Sequence, residues 1–226
     1  MKKEEKEEEV VKKKFSFAKF LIVLLILYII GFYTYKFVSS PVHNIYIKNN
    51  KYLTDQEVID SSGLRNYPSF LLTTKYTIKK KLLKNEFIKD VKVSKKMGNI
   101  IILEVEENEP LFIYKDKTIL STGKSIEKSC DLPTLTNNVT DDILKKLVDK
   151  YVNINDEIRI MISELKYDPN NIDKERFLIT MNDGNYVYIT LYKITSINEY
   201  IKILSTLEDK KGTLYLDSGN YFEEFK

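Results

Sequence analysis

The chain has 226 residues and a nearly balanced charge, because 36 Lys and Arg residues stand against 33 Asp and Glu residues. Proteins that bind nucleic acid carry a clear positive excess, so this balance argues against a nucleic-acid partner. Only one cysteine and one histidine are present, Cys130 and His43. A lone cysteine excludes an intramolecular disulfide, and a lone histidine cannot build a zinc site, so we expect neither metal nor cofactor.

Residues 20–38 form an apolar run, FLIVLLILYIIGFYTYKFV, whose one charge is Lys36. At about 1.5 Å per residue, a helix of this length nearly crosses the ~30 Å hydrocarbon layer of a bilayer. A cleaved signal peptide is the alternative, but its apolar core would hold about 7–15 residues, and no clear small-residue cleavage site follows the run. The pattern therefore predicts one uncleaved transmembrane helix.

The charges around the apolar run predict its orientation. Residues 1–19 form a charged tail, in which four lysines crowd the start of the helix: Lys12, Lys13, Lys14 and Lys19. Fewer lysines follow the helix, and positive charge favours the cytoplasmic side. We therefore expect a cytoplasmic N-terminus, a helix in the cell membrane and an extracytoplasmic remainder, which divides into residues 41–109 and 110–226.

The segment 41–109 predicts the order strand, helix, helix, strand, strand. Thr54 and Glu57 match a capping box, in which each side chain satisfies a free backbone N–H group at a helix start. A second helix is expected from Thr74 to Asn85. Alternating apolar residues predict the strands at 42–48, 88–96 and 100–106.

The second of these helices carries lysines opposite its apolar face. Lys80, Lys81 and Lys84 form a possible basic surface that faces anionic headgroups or wall polymers. The alternative is an ordinary solvated helix face.

The segment 110–226 predicts a mixed α/β domain with a largely antiparallel sheet. Thr140 is expected to cap one helix, and a capping box from Ser196 to Glu199 is expected to open another that runs to Leu207. Asp183-Gly184 predicts a tight hairpin turn. The segment 132–135 is expected to interrupt regular structure, and the strands are expected at 111–114, 118–121, 176–181, 185–190 and 213–217.

The sequence offers no convincing catalytic constellation. An enzyme requires a nucleophile with its base, a paired acid and base, or a metal site. The densest carboxylate cluster is Glu104, Glu106, Glu107 and Glu109, and two of these lie on the polar face of a predicted strand. We therefore expect a membrane-tethered binding module and no enzyme activity.

The predicted element order resembles a POTRA domain, and the whole chain resembles the FtsQ/DivIB family of bacterial cell-division proteins. Four segments carry the resemblance: IYIKNNKYLTDQEVIDSSGL from Ile45, FIKDVKVSKKMGNIIILEVEENEP from Phe87, LPTL from Leu132 and TLYLDSG from Thr213. The resemblance implies an α+β fold with one N-terminal transmembrane helix, a β-α-α-β-β POTRA domain at 41–109 and a mixed, β-rich domain at 110–226.

The resemblance also implies a function. Members of the family are divisome scaffolds at the division septum that bind small single-pass coiled-coil proteins, FtsL-like and FtsB/DivIC-like, and support the regulation of septal peptidoglycan synthesis. In such relatives the partner adds a strand to the edge of the C-terminal sheet. The matching edge here is expected at Tyr215, Leu216, Asp217, Ser218, Gly219, Tyr221 and Phe222.

Three alternatives stay open at this point. The segment after Thr213 contains alternating leucines, so it could serve core packing only. A POTRA-type export chaperone would hold unfolded clients, but it predicts several POTRA units or a barrel anchor. An anchored wall-active enzyme predicts an acid–base pair in a cleft.

Overall fold

The structure, a computed structural model, describes residues 17–128, 130–207 and 210–226. It begins with one long helix, α1, at Phe17–Val38, in which no residue is buried against the rest of the chain. Among the described residues this is the one helix long and apolar enough to cross a membrane. A helix thus covers the apolar run 20–38, which stays predicted as a membrane span, whereas Lys12, Lys13 and Lys14 lie outside the described residues.

A three-stranded sheet follows the membrane helix. Its strands are β1 at Asn44–Lys48, β2 at Ile88–Lys96 and β3 at Ile100–Glu107, in the spatial order β1-β3-β2. β1 pairs parallel with β3, and β2 pairs antiparallel with β3. Two helices, α2 at Asp55–Ser62 and α3 at Lys75–Leu82, connect β1 to β2. The predicted order strand, helix, helix, strand, strand is confirmed.

Local signals in the sequence form these elements. The capping box between Thr54 and Glu57 is present at the start of α2. Gly63 ends that helix with a φ of 76°, a left-handed conformation that glycine adopts without strain. Buried side chains from the helices and the sheet then form one apolar core, which includes Val58, Ile78, Leu82, Ile101, Leu103 and Val105.

The rest of the chain forms a nine-stranded sheet in the order β12-β11-β10-β9-β8-β7-β4-β5-β6. Five of its pairings are antiparallel, and three, β10–β11, β4–β7 and β7–β8, are parallel. The α+β class is therefore confirmed. The strands are β4 Pro110–Tyr114, β5 Lys117–Leu120, β6 Ser125–Ile126, β7 Thr134–Leu135, β8 Ile162–Tyr167, β9 Arg176–Met181, β10 Tyr186–Thr190, β11 Gly212–Tyr215 and β12 Tyr221–Glu224.

Helices pack on this sheet and close its core. α4 at Asp141–Tyr151 begins at Thr140, whose side chain accepts a hydrogen bond from the Ile143 N–H, as predicted. Tyr151 at its end is fully buried and packs edge-on against Phe112, with ring centroids 5.5 Å apart. A short helix α5 at Asp156–Arg159, a 3-10 helix at Leu191–Glu199 and α6 at Tyr200–Leu204 complete the layer.

Two local predictions for this region are wrong. Thr134 and Leu135 do not interrupt the sheet; they form β7, which joins β4 to β8. Ser196 does not cap a helix, because it lies inside the 3-10 helix, where neighbouring backbone N–H groups are already bonded. α6 instead starts at Tyr200 without a side-chain cap and ends at Leu204, short of the predicted Leu207.

Contacts join the two sheets at a junction near residue 109. Leu120 of β5 is buried in the core of the first sheet. Lys128 Nζ lies 2.9 Å from both Glu57 carboxylate oxygens and donates to the Tyr52 carbonyl at 3.0 Å. The boundary between 41–109 and 110–226 stays a prediction, but the first core also draws on side chains beyond it.

Candidate functional site

The end of the nine-stranded sheet differs from the predicted edge in one important respect. The expected strand at 213–217 is β11, which ends at Tyr215, and a further strand, β12, follows it. β11 pairs with β10 on one side and with β12 on the other. The outermost strand of the sheet is therefore Tyr221–Glu224.

The seven residues of the predicted partner-binding edge occupy four kinds of position. Tyr215 lies on the interior strand β11, Ser218 and Gly219 lie in the exposed turn after it, and Tyr221 and Phe222 lie on β12. Leu216 and Asp217 are buried. The structure thus brings Tyr215, Tyr221 and Phe222 to the sheet's outer end, and partner contact at these residues stays a prediction.

β12 leaves one row of backbone groups without a strand beside it. The Phe225 N–H donates to the Lys211 carbonyl at 2.9 Å. In an antiparallel ladder every second residue bonds to the same neighbour, so Glu223 and Tyr221 also face β11. The backbone N–H and C=O groups of Phe222 and Glu224 consequently point away from the sheet, at its open edge.

Three stacked tyrosines cross the same face of the sheet, and we call them the tyrosine ladder: Tyr188 on β10, Tyr215 on β11 and Tyr221 on β12. The rings of Tyr188 and Tyr215 are 5.3 Å apart, and those of Tyr215 and Tyr221 are 4.5 Å apart with an interplanar angle of 10°. Stacked rings give a rigid, amphipathic surface that loses little entropy when a partner binds. The Tyr215 hydroxyl donates to Glu223 Oε2 at 3.2 Å. Burial and that hydrogen bond raise the pKa of Tyr215.

Arg176 of β9 fixes the inner end of the ladder. Its guanidinium lies 3.6 Å from the Tyr188 ring centroid, a cation–π contact. Its Nε donates to Asp217 Oδ2 at 2.7 Å, and its Nη1 donates to Asp168 Oδ2 at 2.9 Å. Burial opposes ionisation of Asp217, but the hydrogen bonds from Arg176 and Ser218 outweigh it, so the pKa of Asp217 is lowered.

Gly212 permits β12 to pack closely against β11. A Cβ atom at Gly212 would lie 2.1 Å from the Glu223 carbonyl oxygen and 2.7 Å from the Phe222 ring. Its N–H donates to the buried Asn185 side chain at 2.9 Å. The sequence analysis did not single out Gly212, Arg176 or Tyr188 as residues of this site. Only Gly212 carries a signal in the sequence, because a glycine beside a predicted strand indicates a close approach of another backbone.

The other candidate residues occupy ordinary surface positions. Lys80, Lys81 and Lys84 are exposed, and none forms an ion pair within the described part of the chain, so the basic surface stays a prediction. Three of the four clustered carboxylates pair with a cation: Glu104 with Lys92, Glu106 with Lys89 and Glu109 with Arg159.

The fourth carboxylate has a structural role. Glu107 accepts hydrogen bonds from the backbone N–H groups of Lys51, Tyr52 and Leu53. Among the described residues, no group of three His, Cys, Asp or Glu side chains could hold a metal ion.

Comparison with known proteins gives the chain its family. The family model for the FtsQ-type POTRA domain matches residues 40–108. Cell division protein DivIB of Weissella koreensis is 30% identical over 191 residues, which cover 79% of this chain and 67% of that protein. Cell division protein DivIB of Bacillus subtilis is 26% identical, with 99% of this chain and 88% of that protein covered.

A third relative, DivIB of Geobacillus kaustophilus, is 25% identical over 90% of this chain and 80% of its own length. The solved major extracytoplasmic domain of DivIB from Geobacillus stearothermophilus covers 46% of this chain and 96% of that domain, with a TM-score of 0.38 and 18% identity. The sequence matches extend from the membrane helix to the C-terminal sheet, and the chain belongs to the DivIB family of membrane-anchored, POTRA-containing cell-division proteins.

Proposed function

We propose that the protein is a non-enzymatic scaffold of the divisome, which holds small single-pass coiled-coil proteins of the FtsL and FtsB/DivIC type at the septum. Through them it supports the regulation of septal peptidoglycan synthesis. Its N-terminus lies in the cytoplasm, and both sheets lie outside the cell membrane, in keeping with the lysines that precede α1.

The open edge of β12 is the observation that carries this proposal. An extended segment of the partner adds a tenth strand to this sheet and bonds to the backbone groups of Phe222 and Glu224. Main-chain hydrogen bonds of this kind supply affinity without requiring a particular sequence. An unpaired edge of four residues is short enough to resist aggregation and long enough to receive a partner strand.

The side chains around that edge supply specificity. The tyrosine ladder ends at Tyr221, which is exposed, and offers a flat aromatic surface to alternate side chains of an added strand. Glu223 lies two residues beyond Tyr221, is exposed on the same face and favours a partner strand that carries Lys or Arg. An aromatic or basic residue at every second position of the partner segment fits this face.

A proline at Glu224 tests the proposal, because it removes the outward N–H of that residue without affecting the inward bonds to β11. Glu224→Ala is the matched control, since both variants lose the ion pair to Lys210 and only the proline loses the N–H. We expect the FtsB/DivIC-type partner to co-purify with the alanine variant from membranes. With the proline variant its affinity should fall at least tenfold, because the lost hydrogen bond is worth about 1.4 kcal/mol, and the partner should no longer be recovered. Equal recovery with both variants would contradict docking at this edge.

A photoreactive residue at Tyr221 gives an independent reading. Crosslinks in dividing cells to a small single-pass coiled-coil protein support the scaffold function, and Tyr192, an exposed tyrosine on the 3-10 helix, serves as the control position. Crosslinks to many unrelated exported polypeptides would favour an export chaperone instead.

A further inference from the structure

The loop that precedes α3 is bound directly to the end of the membrane helix. Ser69 Oγ donates to the carbonyl of Val38, the last residue of α1, at 2.5 Å. The Val42 N–H donates to the Pro68 carbonyl at 2.9 Å, and the Phe70 N–H donates to the Ser40 carbonyl at 2.8 Å. Because the two segments are antiparallel, the residues that follow Phe70 lie beside the C-terminal end of α1.

Those next residues are apolar and face outward. Leu71 and Leu72 follow Phe70, and the Leu72 side chain is 71% exposed. Hydrogen bonds hold this loop in place, including those from the Leu72 and Thr73 N–H groups to Ser69. Two adjacent exposed leucines in a fixed loop are unusual on a protein face that contacts only water.

The turn between β2 and β3 also lies near the end of α1. Met97 in this turn is 95% exposed. Asn99, two residues later, donates from Nδ2 to Ser40 Oγ at 2.6 Å and to the Pro41 carbonyl at 2.7 Å. The Met97 turn therefore lies beside the residues that leave the membrane helix, as the Leu72 loop does.

Lysines surround these apolar tips. Lys95 Nζ donates to the carbonyls of Phe70 and Thr73 and lies 4.1 Å from the Phe70 ring, so it holds the loop in place. Burial and the nearby charge of Lys75 lower the pKa of Lys95. Lys75 and Lys96 are exposed, and within the described part of the chain neither pairs with a carboxylate. The tips thus combine apolar side chains with uncompensated positive charge.

We propose that this juxtamembrane surface, Leu71, Leu72 and Met97 with Lys75 and Lys96, docks onto the bilayer and binds anionic phospholipid headgroups. The leucines and the methionine enter the interfacial region, and the two lysines contact lipid phosphates. The contact adds to the anchor and fixes the tilt of the first sheet on the membrane, which sets the height at which the second sheet presents its edge.

The absence of tryptophan from the sequence provides a direct test. A single tryptophan at Leu72 (Leu72→Trp) is placed in the full chain, which is reconstituted into phosphatidylcholine vesicles with and without phosphatidylglycerol. Acyl-chain-brominated lipids quench a tryptophan that enters the bilayer. The control is Ile172→Trp, an exposed position in the β8–β9 loop, at the end of the second sheet that lies away from the junction.

We expect a blue-shifted, quenched emission from position 72, strongest in the vesicles with phosphatidylglycerol, and no quenching at position 172. Adding Lys75→Gln and Lys96→Gln to the Leu72→Trp chain should weaken docking in those vesicles by roughly fivefold per lysine. Unquenched emission at position 72, or equal quenching at 172, would overturn the docking. Quenching at position 72 that is the same with and without the two lysine substitutions, and with and without phosphatidylglycerol, would overturn the headgroup contact.

Discussion

Arg176 on β9 reaches across β10 to Asp217, and its Nε donates to the Asp217 carboxylate at 2.7 Å. The Asp217 side chain is only 4% exposed, so this ion pair is desolvated. Asp217 lies two residues beyond the end of β11. The Leu216 N–H, just before it, donates to the Tyr188 carbonyl at 2.8 Å. One buried pair therefore fixes the chain at the point where it turns from β11 towards the outer strand.

Removal of Arg176 should loosen the sheet's outer end. Arg176→Met leaves Asp217 buried with the Ser218 hydroxyl as its remaining side-chain partner, and an uncompensated buried charge costs about 3 kcal/mol. Hydrogen exchange of the β10 and β11 amides, followed by mass spectrometry, should accelerate accordingly. Lys146→Met is the control, since its ion pairs with Asp142 and Glu175 are exposed to solvent, which screens them, and should contribute little to stability. Equal acceleration in both variants would show that burial of the pair is irrelevant.

A methyl group at Gly212 should displace β12. The Glu223 carbonyl would lie 2.1 Å from the new Cβ, and relief of this overlap requires the backbone of β12 to move, at about 1–3 kcal/mol. We expect the inward-facing amides of Tyr221, Glu223 and Phe225 to lose protection in Gly212→Ala while β8 and β9 keep theirs. Gly219→Ala is the matched control, because its Cβ would meet the Tyr221 ring at an ordinary 3.6 Å. Full protection of β12 in Gly212→Ala would refute the close approach as its cause.

Much of the first sheet could be predicted because its signals are local. The capping box at Thr54, the glycine end at Gly63 and the alternation along β3 each act within a few residues. The Ser196 capping box has the same local pattern and fails, because the chain enters that region from β10 as a 3-10 helix. Tertiary context therefore outweighs a local cap.

The outer strand β12 could not be predicted for a different reason, which is that its sequence carries no local strand signal. Tyr221–Glu224 has one partly buried side chain, Phe222, and three exposed ones, so it shows no alternation that predicts a strand. Its pairing depends on the absence of a side chain at Gly212. Arg176 and Tyr188 reach the site only through the parallel register of β10 and β11, which pairs Tyr188 with Tyr215, and no sequence spacing reveals that register.

The junction between the two sheets should weaken at low pH through Glu57. Hydrogen bonds from Lys128 and then from Thr54 lower the pKa of Glu57 from 4.5 to about 2. A carboxylate with a depressed folded-state pKa stabilises the fold above its unfolded pKa, and this stabilisation is lost as the pH falls through the folded value. The loss should therefore develop between pH 4.5 and about 2. Because the Glu57 side chain is 43% exposed, solvent screens the pair, and the loss stays within about 1 kcal/mol.

Hydrogen exchange of α2 across that pH range, corrected for intrinsic rates, measures this effect. Glu57→Gln should already be destabilised at neutral pH and show a flatter pH response, because the amide does not titrate. Glu86→Gln, which alters another ion pair across the junction, to Lys124, should keep the response of the unmodified chain because Glu57 is intact. If the Glu57→Gln chain retained the full acid response, the proton would bind elsewhere, and the Lys128 contact would not be the acid-sensitive link between the sheets.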